Sequence, residues 1–239
     1  MVEMDWDLIL KTYPDDRQGI LTAKSLYDCV LETIKKTDFP KIDTSRISNG
    51  DYQQLVPLLT DICNKAWKEC FGTKPSFDMI SAVDAFIWGG CINVTENDSH
   101  AIGALMNNAL RAALRKLRDI SPEPENPDTY SGKCAFCSSH PRIAIDEESQ
   151  RMLHCSLCGF TWRYPRIKCV YCGNADHEKL GFFEAEGIDG IKVYFCRECK
   201  HFIKAVDAKD KIMPDADTID AVTLEIDELA KEEGFIHVP

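Results

Sequence analysis

The chain has 239 residues, of which 28 are basic and 39 acidic, giving a net charge of −11 at neutral pH. This charge argues against a protein whose main task is to grip the phosphate backbone of nucleic acids. Hydrophobic residues make up 44% of the chain, too many for a disordered protein. The unusual count is cysteine, at 12, which is too sparse for a disulfide scaffold and more than a core needs.

The start of the chain and its apolar segments predict a cytoplasmic protein with no membrane insertion. The segment 1–7 is acidic, whereas a secretory signal peptide begins with positive charge and an apolar run. Polar residues interrupt every apolar stretch before the roughly 18 residues that a bilayer span needs. In a reducing compartment, clustered cysteines are more often metal ligands or redox groups than disulfides.

Residues 1–120 predict an all-helical domain. Apolar residues recur at the three- and four-residue steps of one helical face in four segments, which begin near Thr22, Leu55, Ser76 and Ile102. Ser76 is the expected N-cap of the third helix, and the Gly89–Gly90 pair is expected to end it.

Residues 121–133 predict a linker, because three prolines within 121–128 cannot continue a helix. Residues 207–239 predict one acidic C-terminal helix, opened by Pro214 and Asp215. Its expected apolar stripe consists of Ile219, Val222, Ile226 and Leu229. This tail has 3 basic and 10 acidic residues, a net charge of −7, whereas residues 131–206 carry a net charge of +2.

Eight cysteines form four C-x-x-C pairs, which are Cys134/Cys137, Cys155/Cys158, Cys169/Cys172 and Cys196/Cys199. Two intervening residues let a tight turn point both sulfurs at one cation, and two such turns complete a tetrahedron of thiolates. The pairs therefore predict two metal ions, each bound by four cysteines, and an all-sulfur set suits zinc and iron alike.

An internal repeat favours sequential pairing of these turns. The first and third pairs share an aromatic residue at their third position, and the second and fourth share an apolar approach. Site 1 would then use Cys134, Cys137, Cys155 and Cys158, and site 2 would use Cys169, Cys172, Cys196 and Cys199. The corresponding metal modules are residues 134–166 and 167–206. The interleaved alternative, in which the first and third pairs share an ion, stays open.

A four-thiolate site leaves no open coordination position for water, so the pattern predicts a protein that is not an enzyme. The remaining cysteines, Cys29, Cys63, Cys70 and Cys91, lie among helical or turn residues. Free cysteine is a common small core residue, and we expect these four to be buried thiols.

The run from His154 to Gly159, followed by Trp162, Arg166, Lys168 and the segment 169–173, resembles the FdhE family of formate dehydrogenase accessory proteins. The resemblance continues through 196–204 and 227–235, and by motif it covers about half the chain. It implies an α plus small β fold: an N-terminal all-helical domain, two tandem rubredoxin-like or zinc-ribbon modules, and a C-terminal helix. Ser138 and Lys200 depart from the family pattern, because the family has glycine directly after the second cysteine of these pairs.

The resemblance also implies a function. The family assists maturation of the catalytic subunit of formate dehydrogenase, a molybdenum or tungsten enzyme, and a related molybdoenzyme is a second candidate partner. One alternative is a rubredoxin-like electron or iron transfer protein. Another is a nucleic-acid-binding zinc ribbon, which the charge of −11 disfavours.

Overall fold

The computed structural model describes residues 4–90, 96–122, 131–147, 150–184, 190–208 and 215–237. Its helices are α1 (Trp6–Thr12), α2 (Arg17–Lys36), α3 (Thr44–Ile47), α4 (Val56–Phe71), α5 (Met79–Trp88), α6 (Glu96–Ile120), α7 (Ala216–Val222) and α8 (Leu224–Glu232). Its strands are β1 (Pro141–Glu147), β2 (Gln150–Cys155), β3 (Thr161–Tyr164), β4 (Leu180–Glu184), β5 (Ile191–Cys196) and β6 (Phe202–Asp207). The predicted class, helical first and then α plus small β, is confirmed.

The chain forms two compact units. One comprises residues 14–122, and the other comprises residues 1–13 together with 123–239. The predicted helical domain began at residue 1, so the structure differs by assigning the first helix to the second unit. The predicted linker lies largely outside the described residues, as do Cys91 and Pro214. None of the described helices is long and apolar enough to cross a membrane.

The helical unit is built from amphipathic helices whose apolar faces meet. Helices α2, α4 and α6 pack on one another, and α5 packs on α4. Asp78, rather than the predicted Ser76, caps α5, because its carboxylate accepts a hydrogen bond from the Ser81 amide. Gly89 ends the same helix with a φ of 70°, as the sequence predicted.

The cysteines of the helical unit only partly follow the prediction. Cys63 is fully buried on α4, and burial raises the pKa of its thiol to about 12, so it is an inert core thiol. Cys29 and Cys70, in contrast, form a disulfide between α2 and α4 and are only half-buried. Their prediction as free core thiols is wrong, because helix packing brings their Cα atoms to 6.1 Å, within bonding range.

The second unit is centred on a single six-stranded sheet with the order β3-β2-β1-β6-β5-β4. Neighbouring strands are antiparallel except for β1 and β6, which pair in parallel from Ile143 with Lys204 to Asp146 with Asp207. Each predicted metal module supplies three consecutive strands. The modules therefore follow one another across one continuous sheet, and the first strand of one pairs with the last strand of the other.

Helices α7 and α8 cover one face of this sheet. Ile219 packs with Ile143 and Val206, while Ile226 and Ala230 pack with Val193 and Phe202. The predicted single C-terminal helix is divided at Thr223. Leu229, predicted to lie in the stripe, is 43% exposed, and Ala230, four residues after Ile226, is buried in its place.

Helix α1 is attached to the same unit by two hydrogen bonds. The Asp5 amide donates to Thr218 Oγ1 at 2.8 Å, and the Leu224 amide donates to the Tyr13 hydroxyl at 3.2 Å. The side chain of Ile9 is buried. These contacts explain why the first helix of the chain belongs with the last two.

A buried lysine fixes α7 and α8 to the central strand. Lys204 of β6 has no exposed surface, and its ammonium group lies 2.8 Å from Asp220 and 3.0 Å from Asp227. It also donates to the carbonyls of Asp220 and Thr223 at the end of α7. Arg142 of β1 contacts Asp220 at 3.1 Å. Burial opposes ionisation of Asp220, but the adjacent Lys204 and Arg142 lower its pKa.

Replacing Lys204 should lower the stability of the second unit. Lys204→Met keeps the side-chain length but leaves two carboxylates without their buried partner, which is expected to lower the unfolding free energy by about 3–5 kcal/mol. Lys192→Met on the neighbouring strand is the control, because the bridge from Lys192 to Glu184 is exposed and contributes at most about 1 kcal/mol. Denaturant titration measures both; equal losses would contradict the role given to Lys204.

Candidate metal centres

All four C-x-x-C turns have the same backbone geometry. In each, the amide that follows the second cysteine donates to the carbonyl of the first: Ser138 to Cys134, Gly159 to Cys155, Gly173 to Cys169 and Lys200 to Cys196. The donor residues have φ values of 61°, 69°, 74° and 63°. Ser138 and Lys200 thus adopt the left-handed conformation that glycine takes in the other two turns. Their departure from the family pattern leaves the turn unchanged.

The first four-cysteine set comprises Cys134, Cys137, Cys155 and Cys158. Cys134 and Cys158 have their sulfurs 3.5 Å apart, and Cys137 and Cys155 have theirs 3.4 Å apart. All four sulfurs lie within 4.8 Å of one another. The turn before β1 therefore meets the turn at the end of β2, which is the arrangement of sequential pairing.

The second four-cysteine set comprises Cys169, Cys172, Cys196 and Cys199. The sulfurs of Cys169 and Cys199 are 3.6 Å apart, and those of Cys172 and Cys196 are 3.8 Å apart. These four sulfurs also lie within 4.8 Å of one another. The turn before β4 meets the turn at the end of β5, so the second set repeats the first.

The donor sets fit a tetrahedral ion. With metal–sulfur bonds of about 2.3 Å, the sulfurs of a tetrahedral zinc site lie about 3.8 Å apart. The observed separations of 3.4–3.8 Å leave space for such an ion after a small expansion. Four soft thiolates suit zinc and iron, and they fill all four positions. Each set could therefore hold one ion in a closed centre.

The thiols in the first set perturb one another strongly. Hydrogen bonds from Cys134 and Cys137 lower the pKa of the Cys155 thiol. Hydrogen bonds with Cys134 and Cys155 raise the pKa of the Cys137 thiol. In the second set, burial opposes ionisation of Cys196, but hydrogen bonds from the backbone amides of Cys199 and Glu198 and from the thiols of Cys172 and Cys169 together lower its pKa. Packing several thiolates together is unfavourable without a cation, and a metal ion supplies the compensating charge.

The two modules interlock beside the cysteine turns. Gly132 lies so close to Val170 that a Cβ atom at Gly132 would stand 1.7 Å from the Val170 carbonyl oxygen. Tyr171, inside the third turn, donates its hydroxyl hydrogen to the Pro141 carbonyl at 3.2 Å. Its ring centroid lies 5.5 Å from that of His140 and 5.0 Å from that of His201. Burial raises the pKa of Tyr171, so the phenol stays protonated and continues to donate.

Sequence reasoning missed these bridging residues. The repeat marks Tyr171 only as an aromatic residue of the third turn, and nothing in the spacing indicates that it reaches the other module. The sequence also gives no sign of the buried pair of Arg151 and Asp146. The Arg151 guanidinium donates two hydrogen bonds to the Asp146 carboxylate, at 2.8 and 2.9 Å. The guanidinium of Arg151 lies 3.9 Å above the ring of Tyr194 in the second module.

Known proteins resemble this chain in sequence or in structure. No protein-family model matches the chain. The FdhE homologue of Aquifex aeolicus is 33% identical over 119 residues, and that of Stutzerimonas stutzeri is 28% identical over 203 residues. The crystal structure of the FdhE protein from Pseudomonas aeruginosa has a TM-score of 0.68 and covers 97% of this chain and 91% of its own, at 21% identity. The chain is similar in sequence to FdhE homologues and shares the fold of a solved FdhE protein.

The sequence matches to FdhE relatives cover only part of each protein. They span 48% of this chain and 42% of the Aquifex relative, and 75% of this chain and 63% of the Stutzerimonas relative. The resemblance drawn from the cysteine motifs is confirmed by these relatives. The likeness to the solved FdhE structure supports a shared fold.

The contact at Gly132 should be essential for the packing of the modules. Gly132→Ala places a methyl group against the backbone of Val170, and overpacking of this kind is expected to cost about 1–3 kcal/mol of unfolding free energy. Gly103→Ala in α6 is the matched control, because no atom lies within 4 Å of its added Cβ; a helical alanine there should stabilise by up to about 1 kcal/mol. Denaturant unfolding followed by tryptophan fluorescence distinguishes them, and a Gly132→Ala protein as stable as the parent would refute the contact.

Proposed function

We propose that this protein is a non-catalytic accessory factor that binds the catalytic subunit of a formate dehydrogenase during its maturation. The ribbon region, with one zinc or iron ion in each four-cysteine set, is the proposed binding region. The proposed location is the cytoplasm, where thiols remain available to metal ions. Similarity to FdhE homologues, together with two paired four-cysteine sets, is the observation that carries this proposal.

The chemistry of the sets supports a binding role over a catalytic one. A tetrahedral ion held by four thiolates has no position for a substrate or an activated water molecule. Closed sites of this kind stabilise small domains by linking segments that lack a large core of their own. The ribbon modules then present a rigid surface to a partner.

Affinity capture tests the partner directly. The tagged full chain, expressed in cells that make a formate dehydrogenase, should recover its catalytic subunit, identified by mass spectrometry. A variant carrying Cys155→Ala and Cys169→Ala should lose the subunit, whereas Cys63→Ala, which alters a buried cysteine of the helical unit, should retain it. Absence of the subunit from captures with the folded parent protein would refute the proposal.

Removing a single ligand tests the pairing and the metal sites. Cys155→Ala is expected to lose one of two bound ions and to unfold the first module locally, because binding and folding of such modules are coupled. Elemental analysis of purified protein gives the stoichiometry, and Cys63→Ala is again the control. A Cys155→Ala protein that keeps two ions and its stability would contradict the assignment of Cys155 to a site.

The alternative function is electron or iron transfer. It is favoured by the surface position of Cys172, since transfer to a partner requires a centre near the protein surface. Protein isolated without oxygen would then contain iron and show visible thiolate-to-iron absorption. Zinc in both sets would exclude this alternative and leave the accessory role in place.

A further inference from the structure

The two four-cysteine sets differ in exposure. In the first set all four cysteines are at most 2% exposed. In the second set Cys169 and Cys196 are buried, but Cys172 is exposed and Cys199 is half-buried. Two sets with the same ligands and the same turns thus stand in different environments.

The tandem arrangement explains this difference. The first set is flanked by the next module, because Val170 lies against Gly132 and Tyr171 reaches His140 and Pro141. Among the described residues, Ile236 lies beside the second set, and its amide donates to the Lys200 carbonyl at 2.7 Å. Ile236 is itself 50% exposed, and Cys172 remains at the surface.

Charge adds to the difference. A divalent ion with four thiolates carries a net charge of −2. Three cationic residues, Lys168, Arg197 and Lys200, and the acidic Glu198 adjoin the ligands of the second set, whereas Lys133 is the one cationic residue beside a ligand of the first set. Arg197 and Lys200 are exposed and Lys168 is half-buried. Cations beside an exposed thiolate favour the approach of an anionic ligand.

We propose that the second set is an exchange site, whose ion passes to and from an incoming anionic thiolate or chelator, while the first set retains its ion. In the first step a ligand binds the ion as the bond to Cys172 breaks. No electrons are transferred; each released thiolate keeps its electron pair and takes up a proton from water. This inference rests on the metal-binding role proposed above but not on the identity of the partner.

The experiment uses the full chain loaded with two zinc ions. A chromogenic zinc chelator, added in excess, should remove one equivalent at least about ten times faster than the other, since ligand exchange requires access to the thiolate. Samples taken after the fast phase are treated with iodoacetamide and analysed by mass spectrometry. The label is expected on the second set, with Cys172 and Cys199 first. Release of both equivalents at one rate, or earlier labelling of the first set, would overturn the proposal.

Matched variants assign the phases. Cys172 and Cys137 are each the second cysteine of the first turn in their module, so Cys172→Ser and Cys137→Ser remove equivalent ligands. Cys172→Ser should eliminate the fast phase and leave the slow phase of the other equivalent unchanged. If Cys172→Ser removes the slow phase instead, the assignment of the exchange site is wrong. Either outcome is independent of affinity capture, so this inference and the proposed partner fail separately.

Discussion

The parallel pairing of β1 with β6 is the contact on which the second unit depends. A ribbon module of about forty residues buries too little apolar surface to be stable alone, and metal ions or shared packing must supply the rest. Here the pairing joins two such modules into one sheet, whose central strand β6 is buried along almost its whole length. The single sheet then offers one face to α7 and α8, so two small modules share one core.

Buried charges fix how these parts fit together. Lys204 connects the central strand with the junction of α7 and α8, and Arg151 connects the first two strands with an aromatic ring of the second module. Each cation has carboxylate partners at hydrogen-bonding distance, which offsets the cost of removing it from water. Because ion pairs and hydrogen bonds are directional, these contacts favour one arrangement of the helices on the sheet. The acidic character of the C-terminal segment is thus partly structural, because Asp220 and Asp227 face inward.

The two modules that repeat in the sequence lie side by side in the structure, and each supplies three neighbouring strands of one sheet. Consequently the modules are chemically alike but not equally covered. The second module packs beside the cysteine turns of the first module, whereas Cys172 of the second module lies at the surface. Equivalent ligands at Cys137 and Cys172 therefore have different access to solvent. This contrast is a property of position within a tandem array, since the local backbone of all four turns is the same.

Much of the fold could be predicted because its signals are local. Helical periodicity indicated α2, α4, α5 and α6, and the C-x-x-C spacing with the duplicated pattern indicated which cysteines meet. Contacts between distant segments could not be predicted, because periodicity records only which face is apolar and not what covers it. The attachment of α1 to α7, the bond between Cys29 and Cys70, and the break at Thr223 all arise from tertiary packing. The sequence by itself determined the two sets of four thiols and the FdhE resemblance, while only the tertiary structure decided that one set is enclosed and the other lies at the surface, because enclosure depends on which segment packs beside each turn.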